Sequence, residues 1–124
     1  MERQAASTWK GSITEGKGSI TTQSDALKDF PYSFKSRFKD DSGTSGTNPE
    51  ELIAAAHAGC FNMALSKGLT DAGYEIEELT TKGQVSVTQD GPGFKIGYSN
   101  LKLTAKVKGI DKEEFMKIAE ETKE

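Results

Sequence analysis

The chain contains a single cysteine, a single histidine and only two arginines, and each scarcity excludes something. A lone cysteine, Cys60, cannot close a disulfide within the chain, so its thiol is read as free in a reducing compartment, which points to the cytoplasm. With His57 as the only histidine and no acid spaced to complete a ligand set with it and Cys60, no metal site is expected. No basic run or stripe interrupts the mixed acids and bases that sum to a net charge of -3, which argues against a nucleic-acid footprint and against an anionic membrane surface. No apolar run approaches the roughly 20 residues that span a bilayer. Met1-Glu2-Arg3-Gln4 leads into no hydrophobic signal core. The glycines around Gly43 and Gly91 form no phosphate loop, so no nucleotide or other cofactor is expected. Small molecules and protein partners remain.

A chain of this size is expected to form one domain, residues 1–124, with a core that removes about two-thirds of the unfolded surface from water. Two short runs, Thr8–Ile13 and Gly18–Thr22, flank Glu15-Gly16-Lys17-Gly18 and predict a hairpin with Trp9 and Ile13 on its inner face. After a breaker at Asp29-Phe30-Pro31, Tyr32, Phe34, Ser36 and Phe38 alternate with Ser33, Lys35, Arg37 and Lys39, the period of a half-buried strand. A small polar loop, Asp40–Gly46, leads to a helix start with Asn48 as N-cap, Pro49 in the first turn and Glu51 in a capping-box position. That helix is predicted to run to about Ala72, with Gly73 as its left-handed stop.

Through its first half the helix has almost no polar face. Leu52, Ile53, Ala56, Cys60, Phe61, Met63, Ala64 and Leu65 need cover on more than one side, which suggests a sheet of the same chain on one side and a second subunit on the other. Two strands, about Glu77–Thr88 and Phe94–Val107, are joined by the turn signal Asp90-Gly91-Pro92-Gly93. A last helix follows, capped by Asp111 with Glu114 three residues on, and Phe115, Ile118, Ala119 and Thr122 form its inner stripe. The fold class is α+β, in the order β-β-β-α-β-β-α.

Cys60 can be read as a small hydrophobe in a core helix or as a nucleophile. The nucleophilic reading needs help, because an ordinary thiol with a pKa of about 8.5 is only about three per cent thiolate at pH 7. The dipole at the helix N-terminus fades within a turn and cannot reach it. A cation is needed. Arg3 lies in a terminus expected to fray, which leaves Arg37, whose guanidinium stays charged when buried and offers a planar fork of donors. Arg37 is equally readable as a solvated residue on a strand's polar face. Glu50 is readable as plain helix N-terminal charge. His57, three residues before Cys60, could form a Cys–His pair, but both side chains lean toward the helix N-terminus rather than converging on a substrate, and the reading leaves it aside.

The stretch Thr47-Asn48-Pro49-Glu50-Glu51 through Ala58-Gly59-Cys60-Phe61 resembles the signature of the OsmC/Ohr family of thiol-dependent hydroperoxide reductases. The similarity extends from Trp9 to Phe115. In that family the cysteine at the position of Cys60 attacks peroxide. Phe34-Lys35-Ser36-Arg37-Phe38 resembles the segment with the active-site arginine of OsmC-type members, and Glu50 the acid that orients it. The resemblance implies an intertwined homodimer with antiparallel sheets packed on a central buried helix that carries Cys60. It implies reduction of organic hydroperoxides, and hydrogen peroxide less well, in oxidative or osmotic stress defence, with regeneration by a dithiol or lipoyl-type reductant. Aligning Gly109, Ile110, Asp111 and Phe115 with the family's last segment places its second, resolving cysteine just past Glu124, so a further helix and strand are expected there. Ten residues of helix separate Glu50 from Cys60 by roughly 15 Å, so Glu50 and Arg37 are expected to serve the Cys60 of a partner subunit in a composite site. The competing reading is a non-catalytic dimeric module in which Cys60 only packs.

Overall fold

In a computed structural model, residues 1–39 and 46–123 are described. Positions 40–45 of the expected loop Asp40–Gly46 and the final Glu124 lie outside the described residues. The chain divides into two compact units, Met1–Leu52 and Ile53–Glu124. Its element order is β-β-β, a π-helical turn, then α-β-β-α, with the third strand at Phe30–Tyr32, ahead of the segment expected to form it.

The first unit is a three-stranded antiparallel sheet in the order β1 (Ala5–Lys10), β2 (Lys17–Thr22), β3 (Phe30–Tyr32). The β1–β2 turn lies earlier than Glu15–Gly18, because Ser12 organises it. The Ser12 carbonyl accepts from the Gly16 N–H at 2.7 Å and its hydroxyl accepts from the Glu15 N–H at 3.1 Å. Ile13 falls in that turn and is 66% exposed, not on the inner face. Trp9 and Tyr32 pack with ring centroids 5.7 Å apart, and Gly18 of β2, paired with both, leaves the space their rings occupy. Pro31, expected to break the chain, instead sits in β3. An edge strand tolerates a residue without an N–H.

The largest departure from the sequence reading follows Tyr32. The alternation from Tyr32 to Phe38 predicts a strand, yet the chain forms a single π-helical turn at Lys35–Lys39. Two serines account for it. The Ser33 N–H donates to Ser36 Oγ at 2.9 Å, the Ser36 N–H donates to Ser33 Oγ at 3.2 Å, and Ser36 Oγ donates to the Ser33 carbonyl at 3.0 Å. Such local bonds give the backbone partners that a strand ladder would otherwise supply, and here they outweigh the period-two pattern.

Helix α1 (Pro49–Asp71) starts as expected: Asn48 Oδ1 accepts from the Glu51 N–H at 2.7 Å. The Glu51 carboxylate does not return to the Asn48 backbone but accepts from the Thr47 hydroxyl at 3.0 Å. Gly73, at φ +89°, ends the helix in the left-handed conformation that glycine adopts without strain.

In the second unit, β4 (Glu75–Asp90) and β5 (Gly93–Lys108) form a long antiparallel hairpin, and α2 (Lys112–Thr122) follows, capped by Asp111 Oδ1 on the Glu114 N–H at 2.7 Å. The core is Leu65 and Leu69 of α1 with Ile118 of α2, and around it pack Phe61, Tyr74, Leu79, Leu103 and Phe115. The expected inner stripe of α2 is therefore the one that packs. Halfway along β4, Gly83 lets the strand lie directly on α1. A Cβ there would stand 2.6 Å from the Ala54 carbonyl oxygen, which is backbone and cannot step aside. Nearby, Thr81 Oγ1 donates to Asn62 Oδ1 at 2.5 Å and fixes the same contact with a hydrogen bond.

Among the described residues the packing covers one side of α1 only. Met63 is 77% exposed, and Ile53, Ala56, Cys60 and Ala64 are also exposed. Phe94, Ile96 and Tyr98 on the outer half of β5 are about half exposed as well. Gly83→Ala is expected to lower stability by about 1–3 kcal/mol, the usual cost of overpacking. Gly93→Ala, whose Cβ would meet only the Asp90 carbonyl at 3.9 Å, should be nearly neutral. Urea unfolding followed by circular dichroism checks both.

Candidate active site

Residues singled out in the sequence are found in two groups, one in each unit. In the first unit Arg37 and Glu50 form an ion pair. Arg37 Nη2 donates to Glu50 Oε1 at 2.7 Å, and Nε donates to Oε1 at 3.0 Å and to Oε2 at 3.2 Å, so two guanidinium nitrogens bracket one carboxylate. Their side chains are 35% and 11% exposed. The fork geometry fixes the plane of the guanidinium, which one lysine contact could not do.

The local sequence explains why the pair forms. The serine-braced π-turn carries Arg37, and Pro49 with the Asn48 cap starts α1 so that Glu50 lies in its first turn. Asn48 also joins the two pieces, its Nδ2 donating to the Ser36 carbonyl at 3.2 Å. Glu50 therefore has two stabilising partners, the helix N-terminus and the guanidinium.

In the second unit Cys60 is exposed on α1 and lines an open cleft of about 960 Å³. Its walls come from α1, β5 and α2, with Phe61, Leu101, Leu103, Phe115 and Met116 supplying apolar surface. The thiol is not filling the core of its own unit, as the packing reading would have it. His57 lines the same cleft, and its Nδ1 lies 2.6 Å from the hydroxyl of Ser99 on β5. Sequence reasoning passed over Ser99. Nothing local ties it to His57, 42 residues away, and only the β4–β5 register brings it beside α1. Among the described residues no group of three His, Cys, Asp or Glu side chains is placed to hold a metal ion, and no helix is long and apolar enough to cross a membrane.

A family model described as OsmC-like protein matches residues 40–124. The chain belongs to the OsmC-like family. Peroxiredoxin OsmC of Escherichia coli is 42% identical to it over 123 residues, covering 99% of this chain and 84% of that protein. Organic hydroperoxide resistance protein OhrB of Bacillus subtilis is 34% identical over 105 residues, 83% of this chain and 73% of that one. The crystal structure of that OhrB superposes with a TM-score of 0.65 at 32% identity, covering 96% of this chain and 82% of the OhrB chain. The family resemblance and the α+β architecture with antiparallel sheets and a central helix are thus both borne out.

The Arg37–Glu50 pair lies between the exposed and buried limits. Because the guanidinium is about a third exposed, its coupling is expected to be about 1–2 kcal/mol, above a typical surface pair and below the 3–5 kcal/mol of breaking a buried one. A double-mutant cycle of Arg37→Ala and Glu50→Ala in urea measures it directly.

Proposed function

We propose that this OsmC-like chain is a thiol peroxidase that reduces organic hydroperoxides to alcohols in oxidative or osmotic stress defence, with Cys60 as nucleophile. The observation that carries the reading is the exposed Cys60 in an apolar-walled cleft of a chain 42% identical to a peroxiredoxin. The Cys60 thiolate attacks the outer peroxide oxygen. An S–O bond forms, the O–O bond breaks, sulfur is oxidised by two electrons to a sulfenic acid, and the alkoxide leaves as the alcohol once protonated. A dithiol or lipoyl-type reductant returns the sulfenic acid to thiol. A free thiol cycling in this way fits a reducing cytoplasm.

Arg37, oriented by Glu50, stabilises the charge that develops on the departing oxygen. Such preorganised contacts are worth several kcal/mol in a site that excludes water. Glu50 and Cys60 lie ten residues apart on α1, on the order of 15 Å along its axis. The pair therefore serves the thiol of a second subunit, in a homodimer with composite sites. The uncovered side of α1, with Met63, Ile53 and Ala64 exposed, supports that assembly, since a helix this apolar needs cover on both sides.

Two experiments check the reading. After one equivalent of tert-butyl hydroperoxide, intact mass should rise by one oxygen, or two on over-oxidation, and Cys60→Ser should show no gain. An unchanged wild-type mass would favour the packing module. For the composite site, Cys60→Ser and Arg37→Ala chains are each expected to be inactive or nearly so, yet co-refolded mixtures should recover peroxide consumption, because one site of the mixed dimer is then intact. Absence of recovery in confirmed mixed dimers would place Arg37 and Cys60 of one chain in the same site.

A further inference from the structure

The contact between His57 and Ser99 has no part in the chemistry derived so far, yet it lies in the cleft that holds Cys60. His57 and Cys60 are three residues apart on α1, neighbours on one helix face. A helical side chain covers the turn on the N-terminal side of its own Cα, so the Cys60 side chain leans toward the turn where His57 stands. The imidazole, held to β5 by Ser99, lines the same cleft as the thiol. Ser99 is suited to hold it, because a hydroxyl can accept from a protonated Nδ1 or donate to an unprotonated one. Its contact is therefore compatible with both charge states of the ring. The other charged groups lining the cleft are Glu120 and Lys123 of α2, which face each other at 3.6 Å and largely offset one another. Asn100 beside Ser99 on β5 is neutral.

We propose that His57, braced by Ser99, is the proton carrier of the peroxide reaction. The inference rests on Cys60 being the peroxidatic thiol. The imidazole takes the proton of the Cys60 thiol, and the thiolate attacks the outer peroxide oxygen. As the O–O bond breaks, the imidazolium returns that proton to the alkoxide, giving alcohol, sulfenic acid and neutral imidazole. No other proton source or co-reactant is needed. Arg37 stabilises the charge on the departing oxygen and His57 removes it, so the two roles are complementary. Under this assignment His57 is catalytic and Ser99 is a positioning residue.

The test separates proton delivery from thiol ionisation by varying the leaving group. Cys60 oxidation is timed with tert-butyl hydroperoxide, whose alkoxide needs a proton, and with peracetic acid, whose carboxylate does not. Each rate is divided by the iodoacetamide alkylation rate at the same pH, which reports thiolate reactivity. In His57→Phe and His57→Gln the normalised hydroperoxide rate should fall roughly 100-fold, the lower range for general acid catalysis, while the normalised peracid rate stays within about threefold. Ser99→Ala should show a smaller loss of the same kind, and Ser99→Thr, which keeps a hydroxyl, should restore it. Equal losses with both oxidants, or none in either His57 variant, would overturn the proposal while Cys60 still reacts. Failure of wild-type Cys60 to react with either oxidant would overturn the peroxidase reading itself.

Discussion

Everything in the second unit depends on how α1 is covered. The helix carries Leu52, Ile53, Phe61, Met63, Leu65 and Leu69 with few polar residues between them, so it cannot lie on a surface as an ordinary amphipathic helix does. One side is closed by β4, which comes close enough only because residue 83 has no side chain, and by Ile118 of α2. Among the described residues Leu65 and Leu69 are the largest fully buried side chains, in the C-terminal half of the helix, where the hairpin and α2 both reach it. On another face of the helix His57, Cys60, Met63 and Ala64 are exposed. Core and cleft thus adjoin different faces of one helix, which explains how so apolar a segment can leave a thiol exposed.

The same helix also holds the two groups of candidate residues apart. Where packing is dense, a cysteine would be an inert small hydrophobe. Where it is thin, the thiol is accessible but has no cation from the helix dipole, whose influence ends within the first turn. The first turn is used differently: it holds Glu50, and Glu50 holds Arg37. One helix thereby serves at its start as the anchor of a guanidinium and ten residues later as the platform of a thiol.

Much of this was legible in the sequence because it is local. The Asn48 cap, the Gly73 stop, the Asp90–Gly93 turn and the Asp111 cap are each fixed by residues a few positions apart, and all are found where the sequence places them. The family was legible from one stretch, Thr47 to Phe61. Two things were not. The Tyr32–Phe38 segment carries a clean period of two, but alternation reports only where side chains would go if the backbone were extended. It is silent on whether Ser33 and Ser36 will satisfy the backbone first. The His57–Ser99 contact joins elements whose relation is set by strand register, including a bulge between Ser86 and Val87, and no single-sequence pattern encodes that register.

The failed strand carries a further consequence for the site. Had Tyr32–Phe38 been extended, Arg37 would have stood perpendicular to a sheet, on a face shared with Ser33 and Lys35 and directed by pleat alone. In the π-turn its direction is set, among the described residues, by the Ser33–Ser36 bonds, the Asn48 amide on the Ser36 carbonyl and the bracketed Glu50 carboxylate. None is hydrophobic, and all are only part-buried. A guanidinium held this way keeps a fixed orientation without being sealed in a core, where losing its partner would leave an uncompensated buried charge. Polar bracing of this kind sets the direction of the guanidinium locally while its side chain stays about a third exposed. The π-turn, which helices use sparingly and often at functional sites, is in this chain the product of two serines and the means by which Arg37 is aimed.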